Sequence, residues 1–175
     1  MAAIEKAPPA AMLEELKAYL RLEDGREDAL LAGLLRAATE AVEAMLGQLL
    51  LEREAEELSV VKDGALTVRA EPAKGLVSAL VAGEAAPLGP EQFRWAPTAS
   101  GRGRALVSGL VDGTEVSVRY WAGLAVDWNG IPEVLRLAVI RIAAHFHSHR
   151  DAADGPGMPA GIERMLAPWK ARRLQ

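Results

Sequence analysis

Three histidines fall in one short run, His145, His147 and His149. On a helix, residues four apart share a face, so His145 and His149 could hold one metal ion while His147 points elsewhere. A zinc site needs at least three ligands, with partners behind them. Phe146 stands where a zinc-protease motif would carry its Glu, so no HExxH pattern exists. The competing reading puts the rings at the polar end of a buried helix, where imidazole suits the negative end of the dipole. That reading is the stronger, and no metal or other cofactor is expected. A small cytosolic metal-binding protein or enzyme using the His145/His149 pair is kept as the second functional reading.

Three other groups invite chemistry. Ser100-Gly-Arg-Gly-Arg104 places two glycines beside two arginines, a composition that can hold phosphate. No GKT or GKS follows, and the next segment reads as a strand, so a loop tip that meets a partner or DNA is the better expectation. Glu52, Glu54, Glu56 and Glu57 could act as acid and base or bind a cation, but without a partner histidine they read as a solvated linker. Lys170, Arg172 and Arg173 make a basic tip. Three charges bind nucleic acid only weakly, so docking into an acidic groove on a protein suits them better. No Ser/His/Asp arrangement and no nucleotide loop is legible, and the expectation is a protein without enzymatic activity.

The totals bound the rest. The chain has 175 residues, half of them apolar, which suggests one domain with a true core. The net charge of −4 argues against a dedicated nucleic-acid binder. Residues 1–60 carry 13 acidic and 6 basic side chains, and residues 161–175 carry a net of +3. Such unlike ends could pair between copies. Cysteine is absent, which excludes disulfides and thiolate chemistry. No secretory leader and no spanning apolar stretch is visible, so a cytosolic protein is expected.

The elements that would position these groups follow from periodicity. Leu13, Leu16 and Leu20 predict a helix over 10–21, and Leu31, Leu34, Leu35 and Val42 predict a second over 26–46, the two forming a hairpin. Asp63-Gly64 and Asp112-Gly113 each lie between strand-like runs and predict two β-hairpins, 58–69 and 104–121. Weaker strands are expected at 76–81 and 93–96. Pro132 opens a helix to His149 in which ten of the thirteen residues from Val134 to Phe146 are apolar. A helix so apolar must be buried nearly all round, with Leu135, Val139, Ile142 and Phe146 joining the second helix's stripe in packing the core. A last helix is expected over 160–169. The fold class is α+β, mainly α. It is one domain over 1–175, with a helical bundle from 10–49 and 131–170 and a small antiparallel sheet inserted at 57–122.

Two blocks carry a family resemblance. Leu13, Glu15, Lys17, Tyr19, Leu20 and Arg21, followed by Asp28, Leu30, Leu31, Ala37, Ala38, Val42 and Glu43, resemble the start of phage head–tail connector proteins of the gp6-like adaptor type. Pro132, Arg136, Ala138, Ile140, His145, His149 and Arg150 resemble that family's late helix. Pro159, Gly161, Ile162, Leu166, Pro168, Trp169 and Lys170 resemble its tail. Val118, Tyr120, Ala122 and Gly123 fit the strand before the late helix.

The resemblance implies structural work in a phage, prophage or gene-transfer-agent neck. Such adaptors form a ring, dodecameric in relatives, between the portal and a stopper or tail-completion protein. Double-stranded DNA passes through the ring without sequence-specific binding. By this resemblance the tail residues Pro159, Gly161, Ile162, Leu166, Trp169, Lys170, Arg172 and Arg173 are expected to bind the portal. The protein would occupy the bacterial cytoplasm during assembly and the particle neck afterwards.

Overall fold

The computed structural model describes residues 2–3, 8–96, 103–150 and 157–170. The chain divides into two compact units, residues 6–50 with 125–175, and residues 1–5 with 51–124. Among the described residues, four α-helices and two antiparallel sheets make a mixed α+β protein.

The helical unit opens with α1, Ala10–Leu20, behind Pro8-Pro9. The Pro9 carbonyl accepts the Met12 N–H at 3.0 Å, so the proline starts the helix without needing a donor of its own. Met12 and Leu16 are its buried residues. Helix α2 runs Asp28–Leu46, two residues later than the expected start. The reason is local: the Arg26 N–H is turned to the Asp24 carboxylate at 3.3 Å. Leu31, Leu35, Ala38, Val42 and Leu46 are buried along one face. Gly47 ends the helix at φ +70°, the left-handed position glycine fills without strain.

Helix α3, Glu133–Ser148, packs against α1 and α2 and against the short α4, Ile162–Leu166. Leu135, Val139 and Ile142 are fully buried, whereas Leu34 and Phe146 are half-buried. The expected burial all round is not complete, since Val134 and Leu137 keep 41 % and 43 % of their surface exposed. A 3-10 turn, Trp128–Gly130, precedes α3. Its Trp128 is buried, and the indole N–H donates to Glu15 Oε2 on α1 at 2.7 Å.

The described residues of the sheet unit form seven strands: β1 Ala2–Ala3, β2 Arg53–Val60, β3 Ala65–Thr67, β4 Ala73–Val81, β5 Phe93–Trp95, β6 Arg104–Val107 and β7 Glu115–Ala122. The four-stranded sheet has the order β1-β2-β7-β4 and the three-stranded sheet the order β3-β6-β5. Val116, Val118, Tyr120 and Ala122 of central β7 are buried, as their alternation predicts.

Neither expected hairpin forms as such. Both Asp-Gly turns exist, and Asp63 and Gly64 adopt φ +50° and +65° as a tight turn needs. The flanking strands then part company. β2 pairs with β7, from Arg53↔Ala122 to Val60↔Glu115, while β3 pairs with β6, from Ala65↔Leu106 to Thr67↔Arg104. The first turn closes only the single bridge Lys62↔Ala65, and each turn links one sheet to the other.

The acidic run is likewise no linker. It is strand β2, with Ala55 and Glu57 buried on its inner side. Outward, Glu54 meets Arg119 at 2.7 Å and Glu56 accepts the Ser117 hydroxyl at 3.0 Å, both from β7. Glu52 pairs with Lys74. Cross-strand cations supply the neutralising charge that the linear sequence conceals. Where β7 ends, Gly123 at φ +143° lies against the Glu52 and Leu51 backbone, and a Cβ there would meet Glu52 Cα at 2.5 Å.

Candidate interaction surface at the end of the helical unit

The C-terminal arm begins at Pro159 and Gly161. Gly161 sits at φ +86° and lets the chain turn sharply into α4. Ile162 and Leu166, four residues apart, both reach 0 % exposure, so one face of this short helix is sunk into the helical unit. Arg141 of α3 holds the next face, its Nη1 lying 3.3 Å from the Met165 sulfur. Pro168 then carries the chain into a 3-10 turn, Ala167–Trp169, in place of the longer helix expected to reach Trp169 on one face. The change of pitch turns Trp169 outward, 37 % exposed, with Lys170 exposed beside it.

The sequence-derived tail residues thus divide into two sets. Ile162 and Leu166 face inward and anchor the arm. Gly161, Trp169 and Lys170 are exposed, and Pro159 is half-exposed. Arg172 and Arg173 lie outside the described residues, as do Ser100, Gly101 and Arg102 of the glycine–arginine loop.

The end of α3 is a charged clasp. His147 Nε2 lies 2.9 Å from Glu27 Oε2, and Arg150 Nη1 lies 3.4 Å from Glu27 Oε1. Glu27 precedes α2, so the clasp ties the start of α2 to the end of α3. The hydrogen bond to His147 holds the Glu27 carboxyl below its ordinary value. Burial opposes this, and the Arg150 guanidinium adds to it. His145 and His149 stack on each other with ring centroids 4.1 Å apart, and His149 Nδ1 lies 3.0 Å from the His145 carbonyl oxygen. Among the described residues no trio of His, Asp or Glu side chains is gathered that could hold a metal ion.

A second polar knot sits at the start of α3. The Arg136 guanidinium lies over the Trp128 ring, 6.0 Å from its centroid, and donates to Glu133 at 2.6 Å and Asn129 at 3.2 Å. That hydrogen bond lowers the Glu133 carboxyl and raises Arg136 from their ordinary values. The one legible hint was Arg136 itself, a cation inside an otherwise apolar helical stretch. No helix among the described residues is long and apolar enough to cross a membrane.

Comparison with known proteins fits this layout. No curated protein matches the chain significantly by sequence. Residues 10–76 match the model of a family described as phage gp6-like head-tail connector protein. In fold, the chain is similar to one in the neck of an empty gene transfer agent (GTA) particle computed with C6 symmetry. The TM-score there is 0.78 and the identity 26 %, covering 100 % of this chain and 98 % of the other. It is similar at TM-score 0.77 and 26 % identity to a chain in the virion of a native GTA particle, with the same coverage. It is also similar, at TM-score 0.75 and 25 % identity, to one in the neck of a native GTA particle computed with C12 symmetry, again over 100 % and 98 %. Over residues 10–76 the chain is thus similar to the gp6-like head–tail connectors, and over its whole length its fold is similar to that of GTA neck chains.

Proposed function

We propose that this protein is a structural connector of a virion-type neck, joining a DNA-filled head to its tail, in a phage or a gene transfer agent. The observation that carries this reading is the full-length fold match to a GTA neck chain, 100 % of one against 98 % of the other. A match that spans nearly all of both chains is a fold-level analogy that takes in the whole protein and not merely a shared module.

In this reading copies of the chain assemble into a ring, dodecameric as in the C12 arrangement of the related neck. The ring sits between portal and stopper or tail-completion proteins and extends the DNA channel. It forms after the protein is made in the bacterial cytoplasm. Val134 and Leu137 of α3, left exposed on an otherwise buried helix, suit a surface that a neighbouring copy covers. The unlike charges of the two ends suit a head-to-tail contact that closes on itself. The C-terminal arm docks on the portal through exposed Trp169 and Lys170, with the basic residues Arg172 and Arg173 following in sequence. Ile162 and Leu166 hold the arm to its own unit.

The test is co-purification with the portal of the same particle. The full chain is expected to be retained and a chain lacking residues 159–175 to be lost. Retention of the shortened chain at full level would overturn the docking assignment. Electron microscopy of particles from a strain lacking the protein should show filled heads without tails, and normal particles would overturn the connector role itself.

A further inference from the structure

The outer face of the three-stranded sheet is a row of arginines without counter-charges. Thr67↔Arg104 and Arg94↔Leu106 are opposed pairs, so Arg94, Arg104, Leu106 and Thr67 share one face of the sheet. Arg69 follows Thr67 by two residues, and the alternation continues, with Leu66, Val68 and Ala70 buried and Thr67 and Arg69 exposed. Arg69, Arg94 and Arg104 are all exposed, and none forms an ion pair among the described residues.

The four-stranded sheet of the same unit is different. Its outward cations are answered, Lys74 by Glu52 and Arg119 by Glu54 and Glu56. Glu57, which could have served Arg69, is turned inward and accepts the Arg69 backbone N–H instead. Glu71 is already engaged elsewhere. Surface charge kept only for solubility mixes both signs. Three like charges on one face of a chain with a net charge of −4 are a local feature, set against the whole.

We infer that the Arg69–Arg94–Arg104 face of the three-stranded sheet contacts the phosphate backbone of double-stranded DNA without reading its sequence. Guanidinium groups bind phosphate through two parallel hydrogen bonds, and Thr67 adds a hydroxyl to the row. An acidic protein surface is the competing occupant. A second copy of this chain, which exposes carboxylates such as Glu40 and Glu84, is a further competing occupant. The inference rests on the connector reading only in supposing that several copies act together, which turns a weak contact into a useful one. The surface itself belongs to a single chain.

The experiment is fluorescence anisotropy of the full-length protein with labelled duplexes of two unrelated sequences. Both should bind alike, and affinity should fall roughly 40-fold between 50 and 200 mM salt if about three phosphates are contacted. The triple variant Arg69→Gln, Arg94→Gln, Arg104→Gln should lose at least tenfold of the low-salt affinity. A control triple variant of equal charge, Arg21→Gln, Arg26→Gln, Arg164→Gln, should lose little. Thermal melts of both variants, expected to match the parent, report on folding. No low-salt binding by the parent, or equal losses in both variants, overturns the inference. So does altered self-association in sedimentation with DNA affinity unchanged, which would assign the face to a neighbouring copy. None of these outcomes touches neck incorporation, which is read separately from particles.

Discussion

The Asp112 carboxylate accepts the backbone N–H of Asp63 at 3.1 Å and that of Gly64 at 3.4 Å, so one Asp-Gly turn caps the other across 49 residues of chain. Around this contact Gly113 donates to the Val61 carbonyl at 2.9 Å and Val107 to that of Gly64 at 2.9 Å. The two turns lie side by side, and that is why each strand finds its partner beyond the other turn. Replacing Asp112 with Ala removes an acceptor for two turn donors and should cost about 1 kcal/mol. Asp112→Asn keeps one carboxamide oxygen in place and should cost less. Urea denaturation of the two variants checks the order, and an equal loss from both would show that the charge, not the acceptor, matters.

Glu57 and Tyr120 form the buried counterpart of that surface link. The Tyr120 hydroxyl donates to Glu57 Oε1 at 2.6 Å and accepts the Ala70 N–H at 2.8 Å, while Glu57 Oε1 also accepts the Arg69 N–H at 2.6 Å. Two side chains thereby hold the backbone at 69–70, which leads from β3 toward β4. Tyr120→Phe leaves a buried carboxylate short of a donor and should cost about 1.5–3 kcal/mol. Glu57→Gln with Tyr120→Phe should cost less than the sum of the single changes, a coupling read from a double-mutant cycle.

The same pair sets an alkaline limit. Burial, then the hydrogen bond to Glu57, raises the Tyr120 phenol well above its ordinary value of 10.0. The folded state therefore holds this proton more tightly than the unfolded state does. Its contribution is complete below pH 10 and is lost as pH climbs further. Melting temperature should fall with a steeper slope above pH 10 in the parent than in Tyr120→Phe, and identical slopes would contradict the assignment.

Much of the helical unit was legible because helix signals are local. Pro9, Gly47 and Pro132 mark boundaries by backbone geometry alone, and the Leu31–Leu35–Val42 stripe marks the buried face. Strand partners are not local. Asp-Gly marks a turn and leaves open whether its flanking strands pair with each other, which here depends on Asp112 meeting Asp63 far along the chain. The acidic run hid a strand because its neutralising residues, Arg119 and Ser117, lie 60 or more residues away. In the C-terminal arm the residue types were legible, but the inward turn of Ile162 and Leu166 and the outward turn of Trp169 depend on the shift from α to 3-10 pitch at Ala167.

Glu27 gives the helical unit a matching acid dependence. Its carboxyl is held below the ordinary value of 4.5, first by the hydrogen bond to His147. A depressed carboxyl contributes stability that is present above its unfolded value and lost as pH falls through the folded one. Glu27→Gln should therefore flatten the acid limb of melting temperature against pH below about 4.5 and leave the alkaline limb unchanged. A parallel displacement of the whole curve would mean that Glu27 acts by packing and not by charge.

The arm allows anchoring and partner binding to be separated by substitution. Ile162 is fully buried, so Ile162→Ala deletes core volume and should destabilise the chain by about 2–5 kcal/mol. Trp169 is exposed and packs little, so Trp169→Ala should leave stability within about 0.5 kcal/mol of the parent. If Trp169 is a portal anchor, its loss should weaken portal binding at least tenfold, as removal of a central interface tryptophan does when it costs about 2 kcal/mol. Lys170→Glu should weaken the same binding in a salt-dependent way, because it places a like charge against any acidic groove. Calorimetry of each folded variant against the portal distinguishes the cases. Full affinity in Trp169→Ala, with Ile162→Ala alone defective, would show that the arm is a structural brace and that the portal is met elsewhere.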